Sequence, residues 1–138
     1  MSGDRAGEDA ARAARPVVTV VIPSFNAAKT LSATLDSVLG QTIRDVEVVV
    51  VDDGSSDGTP EVLASYAAQV RGIRQANGGL ARARNAGLAV ARGEFIALLD
   101  ADDVCEPQRL EVQLAVLREL PWPRGRARPV RHRWDSLR

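Results

Sequence analysis

Glu47-Val-Val-Val-Val51 is an apolar, β-branched run without polar alternation, and it leads directly into Asp52-Asp-Gly-Ser-Ser-Asp-Gly-Thr59. A strand of this kind is covered on both faces, which is the condition inside a parallel sheet rather than at the surface of a sandwich. Val17-Val-Thr-Val-Val-Ile22 is a second such run and is predicted to stop at Pro23. Glu94-Phe-Ile-Ala-Leu-Leu99 is a third, bounded by Gly93 and ending in Asp100-Ala-Asp-Asp103. Val70-Arg-Gly-Ile-Arg74 is a weaker run with the character of an edge strand.

The segments between these runs have helical periodicity. After a turn and cap in Ser24-Phe-Asn-Ala-Ala-Lys29, Leu31, Leu35, Val38 and Leu39 recur at i, i+4, i+7 and i+8, and Gly40 is placed to end the helix. Thr59 as cap and Pro60 as first helical residue open a second helix, which packs through Val62, Leu63 and Tyr66. Asn77-Gly-Gly79 is a turn before an alanine-rich helix from Leu80 to Ala91 that Gly93 terminates. Pro107 starts a fourth helix with Leu110, Leu114 and Leu117 on one face. The order β-α-β-α-β-α-β-α predicts an α/β fold, a mostly parallel sheet with helices on both faces. Such sheets bind ligands beyond the carboxyl ends of their strands, and three of the four runs end in polar residues: Pro23-Ser-Phe-Asn26, Asp52-Asp-Gly-Ser55 and Asp100-Ala-Asp-Asp103.

The 138 residues suit one domain, read as a disordered leader over 1–16, an α/β body over 17–120 and an irregular basic tail over 121–138. The formal net charge of zero hides an asymmetry: residues 1–117 carry 11 basic and 16 acidic side chains, residues 118–138 carry 7 and 2. An acidic body is not the footprint of a nucleic-acid binder. The single Cys105 excludes an intramolecular disulfide and a cysteine metal cluster. The leader lacks the apolar core of a secretory signal, and no apolar stretch reaches the roughly 20 residues of a membrane span. These features predict a cytoplasmic protein, with contact at the inner face of the membrane left to partners or further regions.

Asp100, Asp102 and Asp103 crowd carboxylates within a few bonds, and each charge opposes ionisation of the next unless a cation or donor offsets it. Mg²⁺ or Mn²⁺ shared with a diphosphate fits that need. An exposed acidic turn capping the helix near Pro107 fits the spacing equally well, and the position after a buried strand favours the site. Of Asp52 and Asp53, one can accept from a base or ribose while the other ties down the Gly54-Ser-Ser56 turn; Asp57 is a turn or cap residue. Arg82, Arg84 and Asn85 open a helix after a glycine turn, where amides and a guanidinium meet phosphate, and the two arginines do not share a helical face. His132 and Cys105 carry no assigned role. No G-x-G-x-x-G follows the first run, and neither a P-loop nor a G-x-S-x-G elbow is present.

Val21-Ile-Pro-Ser-Phe-Asn26, Val50-Val-Asp-Asp-Gly-Ser-Ser-Asp-Gly-Thr59, Asn77-Gly-Gly79, Ala83-Arg-Asn-Ala-Gly87, Gly93-Glu-Phe-Ile96 and Leu99-Asp-Ala-Asp-Asp103 together resemble the amino-terminal, nucleotide-sugar-binding half of the family 2 glycosyltransferases with the GT-A fold. The resemblance covers about residues 17 to 120. It implies a Rossmann-like, truncated GT-A half and the donor-binding portion of an inverting, metal-dependent transferase using a nucleoside-diphosphate sugar, by preference a UDP-sugar, on a sugar, lipid or protein acceptor. It places Pro23, Ser24 and Asn26 along the nucleotide, Asp52 at the base and Asp53 supporting the loop or nucleoside. One of Arg82 and Arg84 falls near the diphosphate, Asp100 faces ribose or metal, and Asp102 coordinates Mn²⁺ or Mg²⁺; Asp103 ranks lower.

The resemblance identifies no catalytic residue, because nothing after Asp103 matches the family's later general base. A sheet cut short also allows self-association through exposed apolar surface. A non-catalytic nucleotide or nucleotide-sugar binding module is the alternative. A receiver-like signalling domain is disfavoured, since the single lysine, Lys29, starts the first helix rather than standing by the acids.

Overall fold

The computed structural model describes residues 15–120. The expected basic tail and all but Arg15 and Pro16 of the expected leader lie outside them. The elements are β1 (Val18–Ser24), α1 (Leu31–Leu39), β2 (Val46–Asp52), α2 (Thr59–Ser65), β3 (Arg71–Arg74), α3 (Leu80–Val90), β4 (Phe95–Leu98) and α4 (Arg109–Glu119). The strands form one parallel sheet in the order β3-β2-β1-β4. β1 runs alongside β2 from Val18↔Val46 to Ser24↔Asp52 and alongside β4 from Val18↔Phe95 to Val21↔Leu98. The chain therefore builds outward from β1 on one side, through β2 and β3, and then returns to its other side with β4. The crevice between the carboxyl ends of β1 and β4 is the switch point at which parallel α/β sheets take ligands.

Strand faces follow the unalternated sequence. Val49 and Val51 pack with Ala83 of α3, while Val48 and Val50 join Leu31, Leu35, Leu110, Leu114 and Leu117 of α1 and α4 on the other face. All these residues are buried, so both faces of β2 are covered as the run Val48–Val51 predicts. Gly87 of α3 permits the closest helix–sheet approach: a Cβ there would lie 2.4 Å from Val21 Cγ1 and 3.3 Å from Val51 Cγ2.

Several local expectations are corrected. Pro23 does not stop β1, which continues through Ser24. The Val21 carbonyl accepts from Leu99 on the β4 side and the Ser24 carbonyl from Asp53 on the β2 side. Alternation then turns the Pro23 nitrogen toward β4 beyond the last β1–β4 pair, where the missing N–H costs no ladder bond. Leu39 is 37% exposed, and the buried fourth residue of α1 is Thr34. An i+8 residue sits about 80° around the helix from Leu31, at the edge of the apolar face. Thr59 is the first residue of α2 after Gly58 rather than its cap, and its Oγ1 accepts from the Ala27 amide at 2.9 Å. Pro107 lies two residues ahead of α4, its carbonyl accepting from the Thr42 amide at 2.9 Å. α3 ends at Val90, before Gly93. Gly93 instead lets the chain pass against β1, because a Cβ there would lie 2.4 Å from the Thr19 amide nitrogen.

A polar clasp closes the amino-terminal end of the sheet. The buried Thr19 hydroxyl donates to Glu47 Oε1 at 2.9 Å, and Arg92 adds its amide at 3.0 Å and its Nε at 2.8 Å to the same carboxylate. Burial works against ionisation of Glu47, and the Arg92 and Thr19 hydrogen bonds outweigh it, holding the carboxyl below its ordinary value.

Gly87→Ala is expected to destabilise the protein by about 1–3 kcal/mol through overpacking against Val21, even though alanine is the better helix former by about 1 kcal/mol. Urea unfolding of the two proteins checks the sign.

Candidate functional site

The carboxyl ends of β1 and β2 are joined by side chains that hold loops. Asp52 is buried; its Oδ1 accepts from the Ser55 amide at 3.0 Å, and its Oδ2 lies 3.4 Å from Arg74 Nη1. Arg74 Nη2 also donates to the Ser55 carbonyl at 3.1 Å. Asp52 thus ties down the Gly54-Ser-Ser56 turn. Asp53, also buried, holds a different loop: it accepts from Gln75 Nε2 at 2.9 Å, the Gly78 amide at 2.9 Å and the Gly79 amide at 3.0 Å. Those bonds, the Gln75 side chain foremost, lower the Asp53 pKa, with a contribution from the charge of Arg82. The positive φ of Gly79 lets the chain turn from that carboxylate into α3.

Asn26 bridges the first two loops. It has a left-handed φ of 49°, its amide donates to Ser55 Oγ at 2.9 Å, and its Oδ1 accepts from the Ser56 amide at 2.9 Å. Ser24 is in register with Asp52, and its buried hydroxyl has no hydrogen-bond partner among the described residues. Asp57 behaves as the turn residue expected, accepting from the Thr59 hydroxyl and amide and from the Ala28 amide; these bonds, the Thr59 hydroxyl first, lower its pKa.

Across the β1–β4 crevice, Asp100, Asp102 and Asp103 each offer a carboxylate oxygen, all within 4.8 Å of one another. The helix-capping alternative fails. The α4 amide of Leu110 donates to Gln41 Oε1 at 3.1 Å, and the carboxylate in the first turn of α4 is Glu111, so the helix start is served without the triad. Arg84 reaches Asp100 with Nη2 at 3.5 Å, and its buried Nε has no partner among the described residues. Arg82 is exposed, with its side chain lying against Gly78 of the glycine turn. One arginine at the triad and one away from it is the division that their spacing predicts.

The donor chemistry of the triad suits a hard divalent cation: three oxygen donors, two of them on exposed residues, with one arginine set against three carboxylates. Pro23 is buried inside β1, whereas Phe25, two residues on, is 53% exposed at the same sheet edge. Sequence reasoning missed Arg74, Gln75 and Asn77, whose amide group donates to the Asp53 carbonyl at 3.1 Å. The signal was present: Arg74 ends a strand, and every strand end in a parallel sheet reaches the same edge.

Fold and site together describe a Rossmann-like α/β domain of GT-A architecture. The sequence pattern described as "Glycosyl transferase family 2" matches residues 19–121, and the chain belongs to that family. It is 42% identical over 91 residues to the uncharacterized glycosyltransferase EpsJ of Bacillus subtilis (strain 168), covering 64% of this chain and 26% of that protein. It is 40% identical over 102 residues to the chondroitin synthase of Pasteurella multocida (strain Pm70), covering 72% of this chain and 11% of the synthase. The chain thus spans a minor part of these curated relatives. Among solved structures, S. aureus TarS 1-349 in complex with UDP matches with a TM-score of 0.69 at 28% identity, over 81% of this chain and 38% of that one. The mannosyltransferase PcManGT of Pyrobaculum calidifontis, in complex with GDP-Man and Mn²⁺, matches with a TM-score of 0.67 at 32% identity, over 76% and 33%. No helix among the described residues is long and apolar enough to cross a membrane.

The lowered pKa of Asp53 gives a pH dependence. Its stabilisation is complete above the ordinary carboxyl value of 3.8 and is lost as pH falls through the lowered folded-state value, since the unfolded chain then binds the proton more readily. The melting-temperature deficit of Asp53→Asn relative to the parent is therefore expected to be full at pH 7 and to shrink below about pH 4. Thermal melts across that range check it.

Proposed function

We propose that this chain is the donor-binding portion of an inverting, metal-dependent glycosyltransferase, and that the carboxyl edge of its sheet takes a nucleoside-diphosphate sugar, by preference a UDP-sugar. The observation that carries this reading is the convergence of three carboxylates at the β1–β4 switch point, with Arg84 beside them and no helix for them to cap. Two relatives of the same fold are described in complex with UDP-GlcNAc and with GDP-Man and Mn²⁺, which supports a nucleotide-sugar ligand.

In this reading Asp102 and Asp100 hold Mn²⁺ or Mg²⁺, and Asp103 is close enough to share the task. The cation supplies charge neutralisation for the departing nucleoside diphosphate. Arg84 adds a permanent positive charge on the same side and keeps the Asp100 carboxylate oriented. The loop from Pro23 to Asn26 lines the nucleotide, and the exposed Phe25 ring offers a face on which a base can stack. Asp52, fixed by the Ser55 amide and Arg74, shapes the base end of the pocket by holding the Gly54-Ser-Ser56 turn, while Asp53 holds the 75–79 loop through Gln75, Gly78 and Gly79. Asp52, Asp53 and Asp100 are held by bonds already made in the protein, so little order has to be gained at these groups when the donor arrives. No general base for the acceptor is assigned among the described residues.

Calorimetry with UDP and Mn²⁺, set beside a sugar-nucleotide hydrolysis or transfer assay, tests the reading. Metal-dependent binding with turnover supports a complete transferase. Binding without turnover supports the module reading for the chain on its own, and no binding with metal present sinks both. Asp102→Ala is expected to abolish the metal-dependent part of UDP affinity while the melting temperature stays close to that of the parent; unchanged affinity in Mn²⁺ overturns the assignment of Asp102.

A further inference from the structure

Helix α1 and its two flanking residues carry a polar seam. Thr30, Thr34, Ser37 and Gln41 fall at i, i+4, i+7 and i+11, one line down the helix beside its apolar face. All four grip the backbone of the segment that carries the acidic triad. Thr30 Oγ1 and Thr34 Oγ1 each approach the Ala101 carbonyl at 2.9 Å, Ser37 Oγ accepts from the Cys105 amide at 3.0 Å, and Gln41 Nε2 donates to the Glu106 carbonyl at 2.8 Å. Each threonine also has a carbonyl of its own neighbourhood at longer range, Ala27 at 3.4 Å for Thr30 and Thr30 at 3.3 Å for Thr34. A hydroxyl has one proton to give, and the shorter contact takes it.

We propose that Thr30 and Thr34 are positioning residues for the acidic triad: by saturating the Ala101 carbonyl from one side, they set the peptide that joins Ala101 to Asp102 and so the spacing of the carboxylates. The inference rests on the donor-site reading above. Ala101 is buried at 8% exposure and Thr34 at 0%, so water does not replace these donors readily. The Asp103 amide closes the turn on the Asp100 carbonyl at 3.1 Å, leaving the Ala101 peptide as the link whose rotation would move Asp102 relative to Asp100. Three carboxylates held within 4.8 Å repel one another, and a turn free to rotate relaxes by spreading them. The hydroxyl pair opposes that relaxation before any cation is present.

The test uses the 138-residue chain and follows Mn²⁺ binding in the presence of UDP by electron paramagnetic resonance, with thermal melts of the metal-free proteins alongside. Thr34→Val keeps shape and removes the donor; Thr34→Ser restores the donor; Thr30→Val removes the second donor at a less buried position. Val38→Ala, a core change on the same helix, lowers stability without touching the seam. Both valine variants are expected to weaken Mn²⁺ binding about tenfold, the equivalent of losing a hydrogen bond worth about 1.4 kcal/mol. Thr34→Ser and Val38→Ala should bind as the parent does, Val38→Ala despite a lower melting temperature. Equal binding by the valine variants and the parent overturns the proposal, as does equal weakening by Val38→Ala or failure of both valine variants to fold. A parent chain that binds no Mn²⁺ with UDP refutes the donor-site reading instead.

Discussion

The pairing of β1 on both sides is the constraint on which the rest depends. A strand hydrogen-bonded to parallel neighbours left and right, with valines or isoleucine on both faces, leaves its residues one way to leave the sheet, over its carboxyl end. The loops after β1, β2 and β4 therefore meet at one edge whatever their sequences. What those sequences add is a set of short polar bonds: Asn26 to Ser55 and Ser56, Asp52 to Ser55, and Asp53 to the 75–79 loop. The loops brace one another, and the apolar layers below fix where the bracing happens.

Charge at this edge is distributed unequally. Asp52 and Asp53 are consumed in holding the protein together, each with donors that match its oxygens. The triad at Asp100, Asp102 and Asp103 has one arginine nearby and is the part of the edge left with negative charge to offer. The contrast separates carboxylates that support a site from those that can receive a cation, and adjacency in the sequence does not make that distinction.

The alternating elements, the parallel sheet and the three polar strand ends were legible because they depend on local pattern: β-branched runs, helical spacing and glycine punctuation. The sequence ends β1 at Pro23 because a missing N–H costs a ladder bond when the nitrogen faces a partner strand; this nitrogen faces β4 beyond the last pair, and in a strand flanked unequally the direction decides the cost. The division of labour within Asp52-Asp53 is not legible locally, since either residue suits the Gly54 turn; it depends on Arg74 and Gln75, brought in by β3 from more than 20 positions away. The polar line on α1 stands in the sequence at helical spacing, but hydroxyl and amide residues at that spacing carry no mark of the backbone groups they meet 65–71 positions later. A threonine on a buried helix face reads as a defect until the carbonyl it serves comes into view.

Consecutive residues on a strand point to opposite faces of the sheet, and the Asp52-Asp53 pair sits where β2 leaves it. One carboxylate goes to the turn that leads into α2, and the other to the loop that leads into α3 on the far side. The pair works as a rivet through the sheet, with a head on each side. Its two members are not duplicates, and their immediate adjacency is itself a structural requirement. A residue inserted between them would bring both heads to the same face and leave one of the two loops without its anchor, even with every acidic group retained.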